Sequence, residues 1–152
     1  MRYVFSLVLL LVACRPAPIF ERSAPFKPGV LAIHLARSTP ADGYQQATVG
    51  SSKDVIYLNP QAELTEAHLQ KASVMDGQND DKVVLLKFNE EGAARMSRLT
   101  ATNINQRLAL IIDGQVVTAP IIASRIDGGE AMLASGYTQK EAEQLVMRLS
   151  GS

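Results

Sequence analysis

The 152-residue chain has one cysteine, no tryptophan, only 5% aromatic residues and no excess of charge of either sign. A single cysteine excludes an intrachain disulfide and any zinc site built on paired cysteines. So few rings leave little for stacking on bases or sugars, and equal counts of 15 basic and 15 acidic side chains give no electrostatic footprint for nucleic acid. No long apolar run follows residue 14, so nothing after it reaches the roughly 20 residues needed to span a bilayer. What remains is 47% hydrophobic and 20% charged, enough to bury a core and too apolar for wholesale disorder.

The N-terminus stands apart from this composition. Met1-Arg2 supplies a positive start, and Tyr3 to Ala13 is a short apolar stretch with the dimensions of a signal-peptide core. It ends Leu11-Val12-Ala13-Cys14, which resembles the bacterial lipobox. That resemblance implies a lipoprotein signal peptide over 1–13, cleavage before Cys14 and lipid attachment to its sulfur. Acyl chains there anchor a protein firmly, because each buried methylene contributes about 0.8 kcal/mol. Arg15 occupies the position where Asp would signal inner-membrane retention, which leans toward the outer membrane. Residues 14–29 contain four of the seven prolines and read as an extended tether carrying the lipidated Cys14.

Residues 30–152 read as one α+β domain, a mixed or antiparallel sheet with about three helices packed on it. Strands are expected over Val30–Ala36, Val55–Leu58, Lys82–Phe88, Arg107–Asp113, Val116–Ala123 and Glu130–Ala134. The near-continuous Val and Leu of Lys82–Phe88 predict burial on both faces. Ser38–Ser52, broken by Pro40, Asp42-Gly43 and Gly50, reads as a long loop. Thr65 can cap a helix to about Met75 with Leu69, Ala72 and Met75 on one face. Asn89 caps a second, whose inner stripe is Ala93, Met96, Leu99 and Ile104. The capping box Thr138/Glu141 opens a third, with Ala142, Leu145, Val146 and Leu149 inside. Asp113-Gly114 predicts a tight hairpin turn, and Pro120 an edge or bulge in the arm after it.

Chemistry-bearing patterns are scarce. His34 lies among apolar residues and reads as a satisfied core or edge histidine; His68 reads as an exposed residue beside Glu66. Asn89, Glu90 and Glu91 are expected to serve the helix start, and Gly128-Gly129 lacks the setting of a phosphate loop. No catalytic residue, metal site or cofactor is expected, and the chain is not expected to be an enzyme.

The motifs in order are more informative than any one of them. Phe88-Asn-Glu-Glu-Gly92, Leu99-Thr100, Leu108-Ala-Leu-Ile-Ile-Asp113-Gly114, Val116-Val117, Ala119-Pro120-Ile121-Ile122, Gly128-Gly129, Gly136-Tyr137-Thr138 and Glu141-Ala142 together resemble the first periplasmic domain of SecD. The likeness is to its P1 head subdomain and is strongest over 54–150. It implies that fold, and a role in transient capture of exported polypeptide. SecD also carries six transmembrane helices and a base portion, which these residues do not supply, so no proton-driven step is implied.

Three functions follow as expectations. The first is a lipid-anchored polypeptide-binding module facing the periplasm and accessory to protein export. Its binding mode is addition of a strand at an exposed edge, with Val116, Val117, Thr118 and Pro120 as candidate contacts. The alternative is an envelope lipoprotein that binds one folded partner in a structural or protective role. A cryptic hydrolase is the third, and it lacks a constellation to support it. Partners are thus a polypeptide or envelope protein and a membrane through the lipid, with no nucleic acid and no small-molecule cofactor.

Overall fold

A computed structural model describes residues 30–50, 52, 54–77 and 81–150, with 134–136 by their backbone alone. The signal peptide, Cys14 and the tether lie outside the described residues. The body is α+β, with two antiparallel sheets and two helices.

The first sheet centres on β1 (Leu31–Arg37) and β7 (Arg107–Ile112), paired antiparallel from Leu31 opposite Ile112 to Ala36 opposite Arg107. β3 (Val55–Leu58) and β2 (Gln45–Thr48) continue it on one side, and β8 (Gln115–Thr118) on the other. The two-residue β4 (Leu64–Thr65) pairs with the start of β1. Because side chains alternate along a strand, Leu31, Ile33, Leu110 and Ile112 face one way and Ala36, Ala109 and Ile111 the other. Both faces are buried. The second carries a small core of Ala36, Ile56, Leu58, Ala109, Ile111, Val116 and Ala119. Three of these seven are alanines, small enough for the sheet to curl over itself, so that the chain after β2 reaches β8 and the Gly50 N–H donates to the Val116 carbonyl at 2.7 Å.

The second sheet runs β5 (Leu69–Asp76), β6 (Lys82–Phe88), β9 (Glu130–Tyr137). Ala72, Val84, Leu86, Phe88 and Leu133 enter the main core with the first sheet. α1 (Glu90–Thr102) adds Met96 to that core, and α2 (Gln139–Ser150) adds Ala142, Leu145 and Leu149. Burying such side chains contributes about 1.5–3 kcal/mol each, so this layer holds the two sheets together.

Several expectations are corrected. Thr65–Met75 is not a helix, and the helices number two among the described residues rather than three. Thr65 begins only a single 3-10 turn, Glu66–His68, after which β5 pairs with β6. The spacing of Leu69 and Ala72 that imitated a helix comes from a bulge between Leu69 and Lys71, and Met75 faces out. The Ser38–Ser52 loop contains β2, polar because it is an edge strand contributing only Ala47 to the small core. Lys82–Phe88 is buried on one face alone, with Val83 and Leu85 half-buried and Lys87 exposed on the other. Ile104 lies beyond α1 and is 41% exposed. The last strand extends to Tyr137. β8 ends at Thr118, but the chain rejoins β7 beyond Pro120, where the Leu108 N–H donates to the Pro120 carbonyl and Ile121 bridges Arg107. Pro120 thus sits at the expected discontinuity.

Turn and cap chemistry matches expectation elsewhere. Asp113 and Gly114 both take positive φ, 49° and 79°, the mirror-image turn that suits a two-residue hairpin. Asn89 Oδ1 accepts the Gly92 N–H at 2.9 Å. The Thr138 N–H donates to Glu141 at 2.8 Å, and the Glu141 N–H returns to Thr138 Oγ1 at 3.3 Å.

Candidate functional site

The arm expected to meet a partner is partly enclosed. Val116 is buried and its carbonyl is already bonded to Gly50. Val117 and Thr118 are half-buried, and Pro120 is exposed. Behind β8 a cleft of about 520 Å³ opens toward α2, lined by Gly50, Asp113, Val117, Tyr137, Glu141 and Arg148 among others. Its charges are largely tied down. Arg148 forms an ion pair with Asp113, and Glu141 is held by Thr138. Those N–H and O–H donors stabilise the ionised Glu141 carboxylate and lower its pKa, whereas burial raises that of Tyr137.

The histidines are occupied structurally. His34 is buried, and its Nδ1 donates to the Asn59 carbonyl at 2.8 Å, as a core histidine should. Burial lowers its pKa, opposed in part by that hydrogen bond and by Glu63. His68 is not exposed as expected. Its side chain is 14% accessible, and its Nδ1 accepts the Thr65 N–H at 3.1 Å, closing the 3-10 turn. Sequence spacing missed this because the cap serves a turn of three residues instead of a helix. Glu91, in the first turn of α1, pairs with Arg95 at 2.8 Å. Gly129 takes φ 63°, and a Cβ there would meet the Ala93 Cβ at 2.7 Å, so it seats the loop against α1 rather than cradling an anion.

Other features were not legible in the sequence. The second sheet leaves one face open, carrying Lys71, Ser73 and Met75 of β5, Val83, Leu85 and Lys87 of β6, and Glu130 and Met132 of β9. Met75 is 47% and Met132 70% exposed. Only the strand pairing puts these residues on one surface. Ser97 Oγ donates to Asp127 at 2.8 Å and accepts the Arg125 Nε–H at 3.0 Å, pinning the 123–129 loop to α1. Among the described residues no helix is long and apolar enough to cross a membrane, and no three His, Cys, Asp or Glu side chains converge as metal ligands.

The profile of the family described as SecDF, P1 head subdomain, matches residues 42–152. The chain belongs to this SecDF P1 head family. Among its relatives, the protein translocase subunit SecD of Acidaminococcus fermentans is 40% identical over 90 residues, 59% of this chain and 22% of that protein. SecD of Magnetococcus marinus is 30% identical over 121 residues, 76% of this chain and 23% of SecD. The P1 head chain thus spans under a quarter of the length of these SecD proteins. A SecDF crystal structure in a super-membrane-facing form superposes with TM-score 0.67 at 28% identity, covering 80% of this chain and 18% of that one. A second, of the SecDF membrane component described as enhancing protein export, gives 0.64 at 25% identity over 82% of this chain and 63% of that one.

Proposed function

We propose that this chain is a membrane-anchored lipoprotein whose P1 head binds unfolded polypeptide and assists protein export across the cytoplasmic membrane. One observation carries the reading. A P1 head, the family of relatives named as translocase subunits and of a component that enhances export, makes up most of the described chain. Support for binding comes from exposed strand edges and an open sheet face with large apolar side chains, surfaces that accept extended chains. On this reading the domain is a binding module rather than an enzyme, and strand edges, the Val116–Pro120 arm among the candidates, meet the client. The lipid on Cys14 holds it at the cell envelope facing the periplasm, with Arg15 favouring the outer membrane.

The test is binding of the full chain to an unfolded precursor of an exported protein, together with pull-down from crosslinked envelopes. Micromolar or tighter binding and recovery of translocon components are expected. No binding at high micromolar concentration, or recovery of one stoichiometric folded partner, overturns the export reading. Replacing Cys14 with Ser is expected to abolish labelling by radioactive palmitate and release the protein from membranes; unchanged labelling overturns the anchor.

A further inference from the structure

The open face of the second sheet has an unfinished pattern of charge. Lys71 on β5 lies directly opposite Lys87 on β6, and Lys87 lies opposite Glu130 on β9. Like charges directly across an antiparallel pair repel, and opposite charges attract. Neither lysine is in an ion pair among the described residues. Lys87 has a carboxylate on one side; Lys71, on the edge strand, has a lysine on one side and, among the described residues, no strand on the other. A strand laid beside β5 with a carboxylate next to Lys71 would complete a row Glu–Lys–Lys–Glu.

The geometry of β5 admits such a strand. Sheet edges in folded proteins are blunted by bulges, proline or charge. On β5 the bulge falls between Leu69 and Lys71, before the run Ala72-Ser73-Val74-Met75, which has no charge and no proline. The other edges are less open. β8 has four residues and a carbonyl already bonded to Gly50; β2 has four residues; and the pairing of β9 slips where it leaves Val84 for Lys82. Four residues along from Lys71 on the same face, Met75 is 47% exposed beside half-buried Val83. Methionine is an adaptable apolar contact for varied partners.

We propose that the outer edge of β5 takes up, as an added strand, an extended segment of another polypeptide that sets a carboxylate beside Lys71 and an apolar side chain beside Met75. The inference rests on the polypeptide-binding reading above and gives it a place and a sequence preference: an acidic residue and an apolar one four positions apart.

Two synthetic ten-residue peptides of alternating Thr and Val test it, one with Glu four residues from a Leu, the other with Lys in place of the Glu. Each is titrated into the full chain while amide hydrogen exchange is followed by NMR. The Glu peptide is expected to protect amides within Lys71–Met75, and the Lys peptide to bind about fivefold or more weakly. Lys71→Glu is expected to reverse that preference, and Met75→Glu to weaken both. Both substitutions are at exposed positions, so the fold is retained. Protection at another edge, equal affinity for the two peptides, or indifference to both substitutions overturns the proposal. So does binding to phosphatidylglycerol vesicles through Lys71 and Met132 with no peptide protection, which would make this face a lipid contact. An unfolded precursor separates this inference from the one beneath it. Capture undiminished by either substitution, without protection of β5, overturns the β5 site alone; no capture by the unsubstituted chain overturns both.

Discussion

Gly50 and Val116 stand at opposite ends of one sheet's strand order, yet the glycine N–H donates to the valine carbonyl at 2.7 Å. The sheet therefore curls over a small core in which Ala36, Ala109 and Ala119 sit among Ile56, Leu58, Ile111 and Val116. Arg107 fastens the same closure from another side, bonding the Ala119 carbonyl at 2.8 Å and Asp54 at 2.7 Å. Arg107→Ala removes both contacts from a side chain only 19% exposed. It is expected to destabilise the domain by about 1.5–3 kcal/mol in urea unfolding, the usual range for hydrogen bonds to a charged group.

Gly129 combines a left-handed backbone with a close approach to Ala93. Gly129→Ala is expected to cost more than about 1 kcal/mol, part from the positive φ and part from the clash. Ala93→Gly in the same chain should restore only the clash component. A double-mutant cycle showing no coupling would remove the contact from the explanation.

Leu86 and Met132 sit on neighbouring strands but on opposite faces of one sheet, the first fully buried and the second 70% exposed. Leu86→Ala is expected to lose about 2–5 kcal/mol. Met132→Thr should change stability by no more than about 0.5 kcal/mol. Thermal unfolding of the two variants side by side checks both. A large loss at Met132 would mean that the open face is covered in solution.

The elements carried by local chemistry were legible in the sequence. Asn89 beside Glu90 and Glu91, the Thr138/Glu141 box and the Asp113-Gly114 pair each satisfy their own backbone, so spacing alone locates α1, α2 and the hairpin. Local spacing in Thr65–Met75 points to a helix, but its identity is decided elsewhere, by pairing with β6, which sets Ala72 opposite Leu86 and Val74 opposite Val84. The candidate site divides in the same way. The Val116–Pro120 arm can be found from its sequence, but its contact with Gly50 and the row Lys71, Lys87, Glu130 exist only once distant strands are paired.

His34 predicts an acid response. Burial lowers its pKa in the folded protein below the ordinary 6.5, so the unfolded chain takes up the proton more readily. Stability contributed through this residue is full above 6.5 and declines as the pH falls below it. An NMR titration should place the His34 midpoint under 6.5, and His34→Gln should flatten the stability profile on the acid side. A midpoint above 6.5 would contradict the burial seen here.

Strand β1 is the first described element and lies in the middle of its sheet, with β3 and β4 on one side and β7 on the other. A tension applied through the residues before Val30 would therefore enter the molecule at its centre instead of at a peelable margin. Drawing β1 out along its own axis requires shearing ladders on both sides at once, six residue pairs with β7 alone. A strand at a sheet margin can be peeled away one hydrogen bond at a time, whereas β1 must give up its pairs with β7, β3 and β4 together.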